Sequence, residues 1–461
     1  MDKWTRTIQF GYAKFKPWHI PALLFFSLVY VYAVNIVLLP SYYVYTARII
    51  DYNKAFSAEK LIIAMVLVIL MFFATMCVNT DNKIMDGVVR TLFYIYCAPM
   101  LLSYCLFEGE GYERMIFLFV IYWSVFCFFA ALLTFYVPRL SIKVFNNRKY
   151  EHYLMAGLFV LMLAYIILRM PNFSLSLSID NVYETREEYK KNASDITTFF
   201  KSTLGTYICP AMIAFLFRKK RFIYGAGFCV FQVALYSMAN DKFYLLMLAV
   251  GIGIGLSGFI KEFETYLYLA VVGISLCNLA AVHGYLVNFI FNIFVRRFFV
   301  LPAWLNYLYV SFFSHREIIG WSQDTFLVDR FFTDTYPASV PSLISTRFFK
   351  GQVANPNAGM LAEAYSRFGF AGCFVYPLLL VMLIGLVGYF YKETTDEVKY
   401  VISIALAVAF GNDVITSTSF VFIIIIVLVF SLMLRGSKNA RGRILSGRRK
   451  ENADAGAGTV S

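Results

Sequence analysis

The sequence predicts an all-α polytopic membrane protein of about twelve transmembrane helices, on three observations. Of 461 residues, 60% are hydrophobic and 15% charged, with a mean hydropathy of +0.66, which lies well outside the composition of soluble domains. The apolar residues come in long runs: 61–78 (LIIAMVLVILMFFATMCV) holds no ionisable side chain other than a thiol. At 1.5 Å rise per residue, about 18 residues nearly cross a ~30 Å hydrocarbon core. Third, Lys and Arg gather in alternate loops, as the positive-inside rule expects of a chain that crosses many times.

Taken in order, the segment Met1–Pro17 is basic and precedes a full-length apolar run without a small-residue cleavage pattern, so the first span reads as an uncleaved signal anchor. Spans follow near 19–39, 61–78, 91–106, 115–137, 152–168, 202–217, 222–238, 243–260, 265–282, 371–391, 399–416 and 418–434. An even number of crossings returns both termini to one side. That side collects 24 Lys and Arg against 11 Asp and Glu, whereas the opposite side holds 17 of each. The excess marks the first side as cytoplasmic, with no Lys or Arg left inside a span. Residues 1–434 therefore read as one membrane domain. The basic, Gly/Ala-rich segment 435–461 reads as a disordered cytoplasmic tail held near anionic lipid.

Several function classes fall away on composition. The net charge of +13 would suit nucleic acid only on a folded basic face, and no stretch could build one. Cytoplasmic loops are short and carry neither a GxxxxGK[ST] loop nor a GxGxxG after a strand, which argues against ATP coupling within this chain. The eight cysteines (Cys77, Cys97, Cys105, Cys127, Cys209, Cys229, Cys277, Cys373) lack metal-ligand spacing and read as small buried hydrophobes. No DxD pair is present to hold a divalent metal, and no cofactor is expected.

The two long connections, 169–201 and 283–370, both fall outside. The larger opens with HGYLVNFIFNIFVRRFFVLPAWLNYLYVSFF, too aromatic for a solvated loop yet split by Arg296, Arg297 and Pro302, and reads as helices at or dipping into the interface. Charge there concentrates in three places: Tyr183–Lys191 (YETREEYKK), which includes Arg186; the tight connection Asn240-Asp241-Lys242; and Arg296-Arg297 together with 347–372 (RFFKGQVANPNAGMLAEAYSRFGFAG), which supplies Arg347, Lys350, Asn355, Asn357, Glu363, Tyr365 and Arg367. Any one such cation can simply snorkel to phospholipid headgroups. Several Arg on one external face suit a lipid pyrophosphate better, because a guanidinium grips phosphate oxygens bidentately and would neutralise a leaving pyrophosphate. A base is then needed for an attacking sugar hydroxyl. Glu363, on an apparent helix LAEAYSRF, leads the external candidates His315, Glu317, Asp324, Asp329 and Asp334, with Glu184 behind them. Gly251, Gly253, Gly255 and Gly258 share one span and are assigned to helix packing.

RRFFVLPAW followed by NYLYVSFF, then NPNAGMLAEAYSRFGFAG, with VYETREE in the earlier external loop, resembles bacterial O-antigen and capsule repeat-unit polymerases of the Wzy type. The resemblance implies a GT-C-like fold related to O-antigen ligases, the bacterial inner membrane as location, and undecaprenyl-pyrophosphate-linked oligosaccharides as partners, with a flippase and a chain-length regulator as possible companions. It points to Arg186, Arg297 and Arg347 as donor- or acceptor-binding arginines. The family's Arg followed, after ten intervening residues, by Gly is absent, since Thr197 and Ala358 stand at those places. The resulting expectation is an inverting, metal-independent polymerase with Glu363, Arg297 and Arg347 in catalytic roles and Arg186, Lys242, Arg296, Asn355, Asn357, Tyr365, Arg367 and His315 binding substrate. An O-antigen ligase, and a flippase or secondary transporter, are the alternatives. A carrier should show repeating halves and ionisable groups within spans, and neither is evident on this reading.

Overall fold

The computed structural model describes residues 19–35, 53–54, 56–78, 82–136, 148–170, 188–189, 191–257, 273, 299–323, 325, 331–349, 359–412 and 415–434. Arg186, Arg296, Arg297, Asn355, Asn357, Glu184, Asp324 and Asp329 lie outside these residues, as do the tail 435–461 and nearly all of the span expected at 265–282. The described chain is mostly helical, with turns between the helices and one two-residue antiparallel pair. It folds as a membrane protein: five helical stretches are long and apolar enough to cross a bilayer, at Ala58–Cys77, Lys83–Cys105, Tyr112–Leu133, Asp195–Arg218 and Met360–Phe390. Shorter apolar helices stand at His19–Ala33, Phe159–Arg169, Phe222–Met238, Lys242–Ser257 and Phe420–Ser431.

The helices, in chain order, are α1 (His19–Ala33), α2 (Ala58–Cys77), α3 (Lys83–Leu92), α4 (Ala98–Leu102), α5 (Tyr112–Tyr136), α6 (Arg148–Arg169), α7 (Asp195–Thr203), α8 (Cys209–Arg218), α9 (Phe222–Ala239), α10 (Lys242–Ser257), α11 (Leu301–Phe313), α12 (Val340–Phe348), α13 (Met360–Phe368), α14 (Gly372–Phe390), α15 (Asp396–Asn412) and α16 (Thr418–Leu434). By contacts the chain divides into two compact units. Unit 1 comprises Met1–Val137, Lys261–Gly385 and Leu406–Val421; unit 2 comprises Pro138–Ile260, Leu386–Ala405 and Phe422–Ser461.

In unit 1, α2 and α5 pack around an aromatic core in which Phe93 meets Phe72 at 5.6 Å and Trp123 at 6.4 Å between ring centroids. The Trp123 indole N–H donates to Thr75 Oγ1 at 3.2 Å, so the one polar atom of that ring is satisfied where water is absent. At one end of the unit β1 (Asn53–Lys54) pairs with β2 (Phe107–Glu108), and Ser57 N–H donates to the Cys105 carbonyl at 3.2 Å. Two connections that the charge count places on the same side therefore meet at the same end.

In unit 2, α8 and α10 pack closely because glycine is placed where the backbones touch. A Cβ on Gly251 would lie 2.8 Å from the Pro210 carbonyl oxygen, and one on Gly255 would lie 2.8 Å from Phe217 Cβ and 3.0 Å from Ala214 Cα. Gly253, on the other face, meets nothing within 4 Å. Stacked rings of Phe159 and Phe228, 5.8 Å apart, join α6 to α9. An ion pair between Arg218 Nε and Glu397 Oε1 at 3.0 Å fixes the end of α8 against α15.

Among the described residues, each unit contains a helix interrupted in the same way. Between α3 and α4 the segment Phe93–Cys97 is a π turn, closed by Ala98 N–H to the Phe93 carbonyl, with Pro99 following. Between α7 and α8 the segment Leu204–Ile208 is a π turn, closed by Cys209 N–H to the Leu204 carbonyl, with Pro210 following. The cause is local: a proline inside a helix has no N–H to donate and its ring crowds the carbonyl four residues back, so the ladder widens to i→i−5. Nine residues before each proline stands a buried cation, Arg90 (2% exposed) and Lys201 (4%), and three before it a buried tyrosine, Tyr96 and Tyr207. Both cations thus fall within long apolar helical stretches, Lys83–Cys105 and Asp195–Arg218, rather than in the loops where hydropathy alone leaves them. The repeat escapes a sequence reading because the two segments share a spacing and not a string of identical residues.

Candidate functional site

The polar centre of unit 1 is built on α13, nine residues with every member from Met360 to Arg367 buried. The helix starts at Gly359, where a Cβ would lie 2.2 Å from the Gly411 carbonyl oxygen; only glycine permits that approach. Its first turn exposes amides without helical partners, and Asn306 of α11 supplies one acceptor, taking the Ala362 N–H on Oδ1 at 2.8 Å while its Nδ2 donates to the Pro302 carbonyl at 2.6 Å. α11 thus packs as a buried helix that caps its neighbour. Gly369, at φ +56, turns the chain out of α13 into α14, and a Cβ on Gly372 would lie 2.1 Å from the Ala364 carbonyl oxygen.

Glu363 and Arg367 stand four residues apart on this helix and pair at 3.3 Å, with side chains 4% and 1% exposed. Glu363 Oε1 accepts from Arg367 Nε at 3.3 Å, from Thr416 N–H at 3.1 Å and from Thr416 Oγ1 at 2.5 Å. Its Oε2 accepts from Ile415 N–H at 2.8 Å and from the Tyr376 hydroxyl. An ionised carboxylate offers about four lone-pair sites, and five donors fill them. Arg367 Nη1 donates to the Gly320 and Gln323 carbonyls at 3.2 and 2.9 Å and to Thr325 Oγ1 at 2.7 Å. Backbone bonds from Ile319 and Gly320 to the Ser366 and Arg367 carbonyls, both 2.9 Å, add to this. Gln323 carries the clamp outward by donating to the Tyr336 carbonyl. The ion pair therefore fastens 319–325 on one flank and 415–416 on the other.

Tyr365, on the same helix, is 3% exposed and faces the rim of the unit. Arg114, exposed in the first turn of α5, donates from Nη2 to the Tyr365 hydroxyl at 2.9 Å and lies 5.9 Å from its ring centroid. Ser314 Oγ is 3.4 Å from the same hydroxyl. Beside Arg114, Glu113 pairs with Lys60 at 3.4 Å and accepts from the Tyr104 hydroxyl at 3.4 Å. The Tyr307 hydroxyl donates to the Glu110 carbonyl at 3.4 Å. His315, Arg316 and Glu317 follow Ser314, all exposed.

Unit 2 has its own polar cluster. Lys201, in the last turn of α7, sits over the Tyr189 ring at 4.1 Å and the Tyr244 ring at 5.2 Å from the centroids, where the ring quadrupole attracts a desolvated cation. The rings are held in turn. Tyr189 donates to Thr198 Oγ1 at 3.3 Å, and Gln232 Nε2 donates to the Tyr244 carbonyl at 3.0 Å and to the Gly205 carbonyl at 2.6 Å, the latter inside the π turn. Burial raises the Tyr189 phenol above its ordinary pKa; the Thr198 bond opposes this and the charge of Asp241 adds to it. The phenol is therefore neutral at physiological pH. Asn240 adopts the left-handed conformation (φ 48) that closes the turn between α9 and α10, and Asp241 Oδ1 accepts the Phe243 N–H at 3.2 Å. Asp241 thus caps α10.

The expected site residues divide. Glu363, Tyr365 and Arg367 share α13; His315 and Arg347 are exposed in the same unit, Arg347 in the last turn of α12; Lys242 opens α10 in unit 2, half-buried. Glu363 is expected as a base, yet the geometry gives it no unfilled lone pair for a substrate proton, and Arg367, expected to bind substrate, turns its Nη1 to the protein's own carbonyls. Sequence reasoning missed Arg114 and Lys201. Arg114 is the one cation in EGEGYER, a stretch whose three glutamates draw attention first. Lys201 stands out only when its distance to Pro210 is compared with that from Arg90 to Pro99.

No family model, no curated protein and no solved structure matches this chain.

Proposed function

We propose that this chain polymerises lipid-linked oligosaccharide repeat units into O-antigen or capsular polysaccharide, with about twelve spans in a GT-C-like arrangement and its reactive face outside the cytoplasmic membrane. The observation that carries the reading is that α11, 314–323 and α13, all from the long connection that charge assigns to the outside, fold into ordered structure around Glu363–Arg367. A connection that merely links spans has no need of a buried ion pair. Nucleotide sugars are cytoplasmic, so an external site must draw on a sugar already carried across on undecaprenyl pyrophosphate.

In the proposed reaction a hydroxyl at the nonreducing end of one lipid-linked unit attacks the anomeric carbon of the glycan on another. The new C–O bond forms with inversion as the bond to pyrophosphate breaks, the pyrophosphate leaves with the electron pair, and a base takes the hydroxyl proton. Arg297, Arg347, Arg186, Arg296, Asn355, Asn357 and Lys242 remain the proposed contacts to the anion and glycan. For Glu363 and Arg367 the filled hydrogen-bonding shells support positioning roles. His315 and Glu317, exposed next to Ser314, are the better candidates for the base among the described residues.

One observation favours a second reading, a flippase or secondary carrier. Matched proline-interrupted helices in two parts of a chain are a pointer to transporters built on inverted repeats. By the alternation of spans the one near 91–106 and the one near 202–217 run in opposite directions. Reconstitution separates the two. Purified chain in vesicles supplied on its own side with lipid-linked repeat units, without nucleotide or ion gradient, is expected to lengthen the glycan; movement of the lipid between leaflets with no lengthening would replace the polymerase by the carrier.

A further inference from the structure

The rim of unit 1 carries chemistry that the reading above does not use. Glu113, Arg114 and Glu110 are exposed on the connection into α5 and its first turn, and Tyr104, Tyr307 and Ser314 are half-buried beside them. The Arg114 guanidinium is braced by the Tyr365 hydroxyl, and Glu113 by Tyr104 and Lys60. Planar groups of both signs are thus held in fixed orientation among three phenol rings. Glu110 acts on the Tyr307 phenol, and Glu59, exposed beside Lys60, acts on the Tyr104 phenol.

The charge balance decides what such a rim can hold. Lys60 and Arg114 are set against Glu59, Glu110 and Glu113, so the surface has no positive excess to offer a diphosphate, and the carboxylates would repel one. A saccharide has the opposite requirement. Its hydroxyls donate to carboxylates and accept from guanidinium and phenol groups, and the apolar C–H faces of its rings lie against aromatic side chains that present an apolar body and a polar tip. We propose that Tyr104, Glu113, Arg114, Tyr307, Ser314 and Tyr365 form a glycan-binding subsite, which holds sugar hydroxyls and excludes the pyrophosphate. The choice of ligand rests on the polymerase reading. The subsite makes Arg114 and Glu113 specificity-determining residues and leaves the diphosphate to cations elsewhere in the chain.

The test is binding by the full chain in lipid nanodiscs, with glycan freed from the lipid and polysaccharide of the source cells by mild acid, and in parallel with inorganic pyrophosphate. The subsite is expected to bind the free glycan, with affinity falling at least tenfold in Arg114→Ala and in Glu113→Gln and recovering in part in Arg114→Lys. Pyrophosphate binding is expected to be unchanged by all three. Both residues are on the surface, and an unchanged elution profile and unfolding temperature verify the fold. No glycan binding by the parent chain, or equal binding by parent and variants, overturns the subsite, as does pyrophosphate binding that depends on Arg114. The polymerase reading fails separately: lengthening in vesicles with no Arg114-dependent glycan binding sinks the subsite alone, whereas Arg114-dependent glycan binding without lengthening keeps the subsite and sinks the polymerase.

Discussion

Arg367 in unit 1 and Lys201 in unit 2 are both cations on nine-residue helices, 1% and 4% exposed, and they are accommodated by different physics. The guanidinium is a planar fork with five donors, and it is matched by Glu363, two carbonyls and a threonine hydroxyl at fixed directions. The ammonium is a compact point charge, and the Tyr189 and Tyr244 rings receive it without demanding one orientation. The first arrangement fails if a single partner is lost, because the remaining charge stays buried. The second degrades gradually, one ring at a time. The contrast is between a cation matched by directional hydrogen bonds and one seated over aromatic rings.

The largest effect is expected from breaking the fork. Glu363→Ala leaves Arg367 buried beside no carboxylate and should cost about 3–5 kcal/mol, read as early unfolding of the purified protein in detergent. Glu363→Gln keeps an acceptor and should cost less while retaining residual polymerisation; a stable Gln variant with none at all would restore Glu363 as the base. A Cβ at Gly359 meets the Gly411 backbone, so Gly359→Ala should cost about 1–3 kcal/mol by overpacking and reduce the folded yield. On the other side of the comparison, Tyr189→Leu should cost about 0.5–2 kcal/mol as one cation–π partner is lost; a loss as large as that of Glu363→Ala would show that Lys201 is clamped as rigidly as Arg367. The smallest effect sharpens unit 2. Gly251→Ala should destabilise through contact with the Pro210 carbonyl, whereas Gly253→Ala, open to space, should leave the unfolding temperature unchanged or raise it slightly. Equal effects at both positions would contradict the α8–α10 packing.

Long-range facts with a local cause could be read before any coordinates. Apolar run length set the helices, LAEAYSRF was legible as a helix, and the glycines of one span marked helix packing, which Gly251 and Gly255 make against α8 while Gly253 faces open space. Membrane boundaries were harder. Arg90 and Lys201 look like loop residues to a hydropathy window because each lies where an apolar run begins, yet each is carried on a helix that starts about two turns earlier and is covered by tertiary packing. The partners of Glu363 could not be foreseen, since Tyr376, Ile415 and Thr416 reach it from elements far along the chain. A carboxylate in an external helix looks the same in sequence whether it awaits a proton or holds two segments together. Of the expected arginines, Arg347 is exposed on α12.

The central claim is that this chain lengthens glycans, and the polysaccharide ladder of cells lacking it tests that most directly. Acceptors in such cells should carry one repeat unit and no longer chains, restored to full length by the parent chain and not by Arg347→Ala or Arg297→Ala made at normal abundance. Acceptors carrying no repeat unit at all would contradict it in favour of a ligase or flippase, and an unaltered ladder would remove it altogether.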